Sequence, residues 1–194
     1  MKKIKNIFKL YRKKFELTNY KGTINLNLGC GNKPLIDFIN IDYHNQKYAD
    51  IVADLNSRLP FCDNTINLIY SDNVFEHIEK LLLLIQDCHR VLKIDGYLII
   101  KVPYFRSNYA FVDPTHVNFF TIQSMDYFIK TTYFHEEYRF FEESFQNLDI
   151  FLDTNNGFWK KIISIYAIKR PNIFENSIWS NLWIFHNIIY ILRK

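Results

Sequence analysis

Hydrophobic and polar positions alternate along this chain with two different periods. Ile4, Ile7, Phe8, Tyr11 and Phe15 recur at helical spacing among lysines and an arginine, which predicts a basic amphipathic helix over residues 1–20. Gly22 ends it, and Ile24 to Leu28 (INLNL) reads as a strand running into a glycine turn. Short apolar runs follow at Phe38 to Asp42, Asp50 to Ala53 and Ile66 to Ser71; the last is nearly all apolar, as a parallel strand covered on both faces requires. Ile78 to Leu92 carries Leu81, Leu82, Ile85, Cys88, Val91 and Leu92 on one side, a helix. Asp95-Gly96 predicts a turn, and Tyr97 to Val102 a fifth strand stopped by Pro103. Strands alternating with a helix or short crossovers predict an α/β domain with a mostly parallel sheet.

Beyond Pro103 the pattern loosens. Tyr104 to Thr121 reads as an aromatic, polar loop, and Thr121 as the cap of a helix through Lys130. Tyr138 to Leu152 holds a strand. Phe158 to Ile168 fits a helix or a strand, with the helix favoured, and Ile188 to Leu192 reads as a final strand. No repeat, low-complexity tract or linker divides the 194 residues, so one domain is expected over 1–194. It comprises the helix 1–20, a core 22–103, and a loop with further elements at 104–194.

Composition sharpens this. Hydrophobic residues at 48% supply a full core. The net charge of +4 is local: seven basic residues precede Glu16 and no acid does, leaving 17 bases against 20 acids elsewhere. A mildly acidic body argues against a nucleic-acid groove. The basic helix either packs on the core with a solvated face or touches an anionic membrane peripherally. Cys30, Cys62 and Cys88 form no CxxC pair, and no signal peptide or 18-residue apolar run is present, so a cytoplasmic protein is expected.

Candidate chemistry starts at Leu28-Gly29-Cys30-Gly31. Two glycines around one small residue let a ligand approach the backbone at a strand end. The third glycine of a dinucleotide fingerprint is missing, because position 34 is Pro34, and no long helix follows. NAD and FAD are therefore disfavoured. Asp42 ends the second strand, where an acid accepts hydrogen bonds from two ribose hydroxyls; Asp54 ends the third, followed by Leu55 and Leu59-Pro60-Phe61, an acid beside an apolar wall suited to adenine.

These segments together resemble the class I S-adenosylmethionine-dependent methyltransferases, in particular their small "type 11" branch. The similarity lies in LNLGCGNKP, INIDYH, ADLNSRLPFCDNTINLIYSDNVFEHI and RVLKIDGYLIIKVP, between Ile24 and Pro103. It implies a Rossmann-like, mostly parallel twisted sheet with helices on both faces. S-adenosyl-L-methionine would be the cofactor and S-adenosyl-L-homocysteine the product. Gly29, Cys30 and Gly31 would pack on the methionine and ribose portions, Asp42 would hold the ribose, and Asp54 with Leu55 would recognise adenine. Ser71, Asn73 and Val74 would line the sulfonium side. Leu28, Tyr43 and His77 are expected among the cofactor contacts, with bracing of the loop as the alternative role of Glu76-His77. Asn27 replaces a more usual acid, and Ile94-Asp95-Gly96 a Pro-Gly-Gly turn.

The loop YFRSNYAFVDPTHVNFFT (Tyr104 to Thr121) resembles a segment of methyltransferases encoded among surface-polysaccharide genes. The resemblance implies a glycan or small-molecule acceptor. His116 is the candidate general base, paired with Asp113, because an imidazole titrates near neutrality. The structural alternative is a turn in which both residues only order the loop. Arg106 is a candidate for an anionic group on the acceptor, and Tyr104, Phe105, Tyr109, Phe111, Phe119 and Phe120 for a sugar-stacking wall or a packed lid. No metal is expected: Glu76, His77, Asp113 and His116 lie in two separate stretches without metal-motif spacing. Competing readings are a small-metabolite or lipid methyltransferase, a non-catalytic nucleoside-binding module of the same fold, and an NAD-dependent enzyme.

Overall fold

The computed structural model describes residues 24–44, 47–140, 143–153, 157–183 and 185–194. The expected basic helix of residues 1–20 lies outside these.

Seven strands form one sheet: β1 (Asn25–Leu28), β2 (Ile39–Asp42), β3 (Ile51–Val52), β4 (Ile66–Asp72), β5 (Leu92–Pro103), β6 (Asn147–Leu152) and β7 (Asn187–Arg193). Their order is β3-β2-β1-β4-β5-β7-β6. The first five strands in that order pair in parallel, and β7 runs antiparallel to both β5 and β6. Strand order therefore reverses between β1 and β4, and that switch point opens at their carboxyl ends. The helices are α1 (Leu81–Val91), α2 (Tyr133–Tyr138), α3 (Phe158–Lys169), α4 (Pro171–Glu175) and α5 (Trp179–Leu182). The larger apolar cluster joins one face of the sheet (Leu26, Leu28, Ile69, Ile100) to α1 and to Ala167 and Phe174 of α3 and α4. A smaller cluster on the other face combines Leu68, Tyr70, Ile99, Ile189 and Ile191 with Leu35 and Phe38 of the β1–β2 connection.

That connection spans ten residues without a helix. Asn40, buried in β2, makes this possible. Its Oδ1 accepts from the Leu35 amide (2.7 Å) and from Asn27 Nδ2 (2.9 Å). Its Nδ2 donates to the carbonyls of Leu35 and Phe38 and to Asp50 Oδ2. One side chain thus supplies the partners that a helix would have given the loop backbone. The Asp50 carboxyl is held below its usual range by the Asn40 amide and side chain.

Two expectations need correction. Thr121 to Lys130 is not an α-helix; only Asp126–Phe128 forms a 3-10 turn. Ile122, Met125, Phe128 and Ile129 are all buried there, and the backbone pairs outward, with the Ile122 amide on Glu175 Oε1 and the Phe145 amide on the Phe128 carbonyl. Tertiary partners replaced helical ones. The strand expected within Tyr138 to Leu152 forms at Asn147–Leu152, after a helix over Tyr133–Tyr138 capped by Thr132. Asp95-Gly96 is not a chain-reversing turn but an irregularity inside β5: Asp95 has φ +65°, and the register against β4 shifts there. Gly96 is required because a Cβ would lie 2.8 Å from the Lys93 carbonyl. The favoured helix at 158–168 and the final strand at 188–192 both form. Among the described residues no helix is long and apolar enough to cross a membrane.

Candidate active site

Two groups of residues meet above the carboxyl ends of β1, β2, β4 and β5. The first is the glycine turn. Gly29 and Gly31 have φ of +66° and +49°, a left-handed backbone that glycine takes without strain. A Cβ on Gly29 would lie 2.2 Å from Val74 Cγ2, whereas one on Gly31 would meet nothing within 4 Å. Gly29 is thus a packing glycine, and Gly31 borders open space that a ligand can enter. The Gly31 amide donates to Asp42 Oδ2 (2.8 Å), and the His44 amide donates to Oδ1 (3.0 Å). Together these bonds fix the carboxylate at the strand end. An ionised carboxylate has about four acceptor positions, so this arrangement suits a ribose held against the turn.

The remaining expected cofactor contacts divide by burial. Tyr43, Asn73 and Asp54 are exposed, and Val74 is half-buried. Asn73 takes φ +56° at the end of β4, its amide bound to the Lys101 carbonyl. Asp54 Oδ1 accepts from the Asn56 amide in a local turn, while Leu55 points into the core. Leu28, Cys30 and Ser71 are buried; Ser71 Oγ donates to the Leu28 carbonyl (3.3 Å), tying β4 to β1 beneath the turn. Asn27 turns its amide to Asn40.

The second group was dispersed in sequence. A 3-10 turn at Phe75–His77 follows β4, and the loop after β5 is pinned to it. The Val117 and Asn118 amides donate to the Glu76 carbonyl, and Asn118 Nδ2 donates to the carbonyls of Phe75 and Ile78. His77 and His116 are thereby brought edge to face, with centroids 4.7 Å apart. His116 Nδ1 lies 2.9 Å from the Ala110 carbonyl, which only a ring N–H can satisfy; the neutral ring therefore carries its lone pair on Nε2. His77 Nδ1 lies 2.9 Å from Thr115 Oγ1, and that hydroxyl donates to Asp113 Oδ1 (2.7 Å). His77 Nδ1 is accordingly the donor, and its Nε2 carries the lone pair.

The expected Asp113–His116 pair is therefore replaced. Asp113 orients His77 through Thr115, while a backbone carbonyl orients His116. Thr115 holds the Asp113 carboxyl below its usual range. Glu76, expected only to brace the loop, sits beside both imidazoles. Glu76 is 1% exposed, and among the described residues neither carboxyl oxygen has a hydrogen-bond partner. Burial pushes the carboxyl up to about 7, against the pull of its own backbone amide. Glu76, His77 and His116 each offer a ligand atom within 4.8 Å of the others, so the expectation of no metal site meets a cluster the fold has assembled.

Arg106 is not presented to an acceptor: its Nη2 donates to the Glu175 carbonyl (2.8 Å). The aromatics also divide. Tyr104 and Phe120 are buried in the core, with the Tyr104 hydroxyl on Glu175 Oε1. Phe111 and Phe119 are exposed and stacked, 4.9 Å apart and 19° from parallel. Phe119 also borders a cleft of about 340 Å³ with Leu81, Met125 and Phe140. A larger cleft, about 510 Å³, is lined by ion-paired Asp87 and Arg90 and contains none of the site residues, so chemistry rather than size locates the site.

Residues 26–100 match the sequence profile of a family described as "Methyltransferase domain". No curated protein matches the chain. Among solved structures, a SAM-dependent methyltransferase from Archaeoglobus fulgidus is similar at a TM-score of 0.60 and 17% identity, covering 97% of this chain and 94% of that one. Haemonchus contortus phosphoethanolamine N-methyltransferase 2, in complex with phosphomonomethylethanolamine and S-adenosylhomocysteine, is similar at a TM-score of 0.52 and 14% identity, over 88% of this chain and 48% of that one. At such identities the shared feature is the fold, a Rossmann-like methyltransferase sheet.

Proposed function

We propose that this chain, an S-adenosylmethionine-dependent methyltransferase, methylates a hydroxyl of a sugar or surface-glycan precursor. The observation that carries the acceptor class is the exposed Phe111–Phe119 stack on the loop that also carries His116, itself paired with His77. Sugar rings bury their apolar faces on such surfaces, and the adjacent imidazoles suit a hydroxyl. The bound donor supplies an electrophilic methyl group. The chain's own residues supply alignment: the Gly29–Gly31 turn and Asp42 seat the donor, and the loop from Asp113 to Phe119 seats the acceptor. His116 activates the hydroxyl, in the simplest case by taking its proton at Nε2. The test is transfer of labelled methyl from S-adenosylmethionine to a panel of nucleotide sugars and lipid-linked sugars. Incorporation at a hydroxyl, with a raised KM in Phe119→Ala, supports the reading; failure with every sugar while S-adenosylhomocysteine still binds overturns it.

The donor half has its own test. Asp42→Ala removes the carboxylate that faces the turn, and S-adenosylhomocysteine binding should weaken by about 1–3 kcal/mol through unpaired ribose hydroxyls. Unchanged affinity in a calorimeter would remove Asp42 from the site.

A second reading, a membrane-bound acceptor, is favoured by the surface of α3 to α5. Phe158, Trp159, Ile165, Ile178, Trp179 and Leu182 are all exposed there, and Lys160, Lys161, Lys169 and Arg170 lie on the same segment. Tryptophans with lysines on apolar helices suit the headgroup boundary of an anionic bilayer. The full chain should co-sediment with phosphatidylglycerol vesicles and much less with phosphatidylcholine ones. Replacing Trp159 and Trp179 by glutamate should abolish this and leave S-adenosylhomocysteine binding intact; co-sedimentation that persists would dismiss this surface.

A further inference from the structure

We propose that Glu76, His77 and His116 bind a divalent cation of the zinc or manganese class beside the methyl-transfer site. Three observations converge on this. The ligand atoms of the three side chains lie within 4.8 Å of one another. An ion holding such ligands at about 2.0–2.2 Å keeps them roughly 3–3.5 Å apart, so a small closing rotation completes the site. Glu76 is buried, and among the described residues neither carboxyl oxygen has a hydrogen-bond partner. A buried carboxylate without a donor is costly, and a cation is the partner it lacks. Both imidazoles are already fixed as ligands: the Ala110 carbonyl holds the Nδ1 proton of His116, and Thr115 holds that of His77, leaving Nε2 lone pairs on both.

The support behind these rings follows the pattern of metal centres, where the far nitrogen of a ligating histidine donates to a carbonyl or a carboxylate-linked group. Asp113, through Thr115, supplies the carboxylate here. Two histidines and one glutamate form a borderline donor set, suited to zinc and close neighbours rather than to calcium. Three protein ligands leave a coordination position open. In the proposed methyltransferase that position would take the acceptor hydroxyl and the ion would raise its acidity; the proton would pass to bulk water as the O–CH3 bond forms and the S–CH3 bond breaks to release S-adenosylhomocysteine, with His116 then serving as a ligand in place of a base. The inference rests on that reading for the ion's role and not for its binding.

The experiment uses tag-free, chelator-stripped full chain titrated by calorimetry with zinc chloride and, separately, with manganese chloride. One equivalent of ion should bind. Glu76→Gln, which keeps the side-chain volume, and His116→Ala should each weaken binding at least about a hundredfold. Thr115→Val, at an exposed position that spares the core, should weaken it about tenfold or more by releasing His77. S-adenosylhomocysteine affinity, measured on each protein, should stay the same. Failure of both ions to bind stoichiometrically, or binding that survives in all three variants, overturns the site. Loss of S-adenosylhomocysteine binding in the unsubstituted protein would instead overturn the donor reading, and the ion titration would stand by itself.

Discussion

His116→Ala should lower turnover by roughly a hundredfold or more while S-adenosylhomocysteine affinity stays put. The expectation follows from how the ring is held. Its Nδ1–H is committed to the Ala110 carbonyl, so Nε2 is a lone pair in a defined direction, 4.7 Å centroid to centroid from His77. Alanine removes that lone pair whether it takes a proton or holds an ion. The loop should survive the change, because Val117 and Asn118 are still anchored to the Glu76 carbonyl and Asn118 to Phe75 and Ile78. Single-turnover methyl transfer with saturating donor is the measurement. Asp113→Asn acts through Thr115 and His77, so its effect on turnover should be smaller; an Asp113 effect equal to that of His116 would mean the loop, not the ring, is what the reaction needs.

Gly29→Ala should both destabilise the protein and remove donor binding. Its new methyl would sit 2.2 Å from Val74 Cγ2, 3.0 Å from Cγ1 and 3.2 Å from Cβ, so rotating the valine cannot clear it. Left-handed backbone at φ +66° adds about 1–2 kcal/mol, and overpacking adds about 1–3 kcal/mol. Together they cost roughly 2–5 kcal/mol of stability. Relief requires the turn or the segment at Asn73–Val74 to move, and both belong to the proposed donor site. Gly31→Ala is the informative contrast. Its Cβ meets nothing within 4 Å, so the stability cost should be limited to backbone strain, while a donor lying over the turn would lose affinity. Thermal unfolding and S-adenosylhomocysteine titration on the two variants separate the packing glycine from the binding one. Equal behaviour of the pair would refute that distinction.

The glycine turn and the strand-end acid were legible because their geometry is local. A glycine pair at a strand end and an acid closing the next strand carry their meaning over a few residues, and Gly31 and Asp42 are indeed hydrogen-bonded. Helix α1 was legible for the same reason, since one turn of spacing defines its buried face. Thr121 to Lys130 misled because its apolar spacing fits a helix, yet Glu175 and Phe145, distant in sequence, offered its backbone better partners. Asn40 was invisible as a hub: an asparagine within INID gives no sign that it must serve Asn27, Leu35, Phe38 and Asp50 at once.

The acceptor side shows the division most clearly. Sequence alone marked His116 and Asp113 as chemical residues and placed them in a loop after the fifth strand. A general-base imidazole works with a carboxylate, and Asp113 is the one its own loop offers. The fold instead gave His116 to a backbone carbonyl, gave Asp113 to His77 through Thr115, and buried Glu76 beside both imidazoles. The sequence by itself determined the α/β sheet, the glycine turn and the strand-end acid, all set by short-range spacing and backbone geometry. Which side chains face one another across β4 and β5, and which carboxyl is buried beside them, depended on packing between segments some 40 residues apart, and only the tertiary structure decided that.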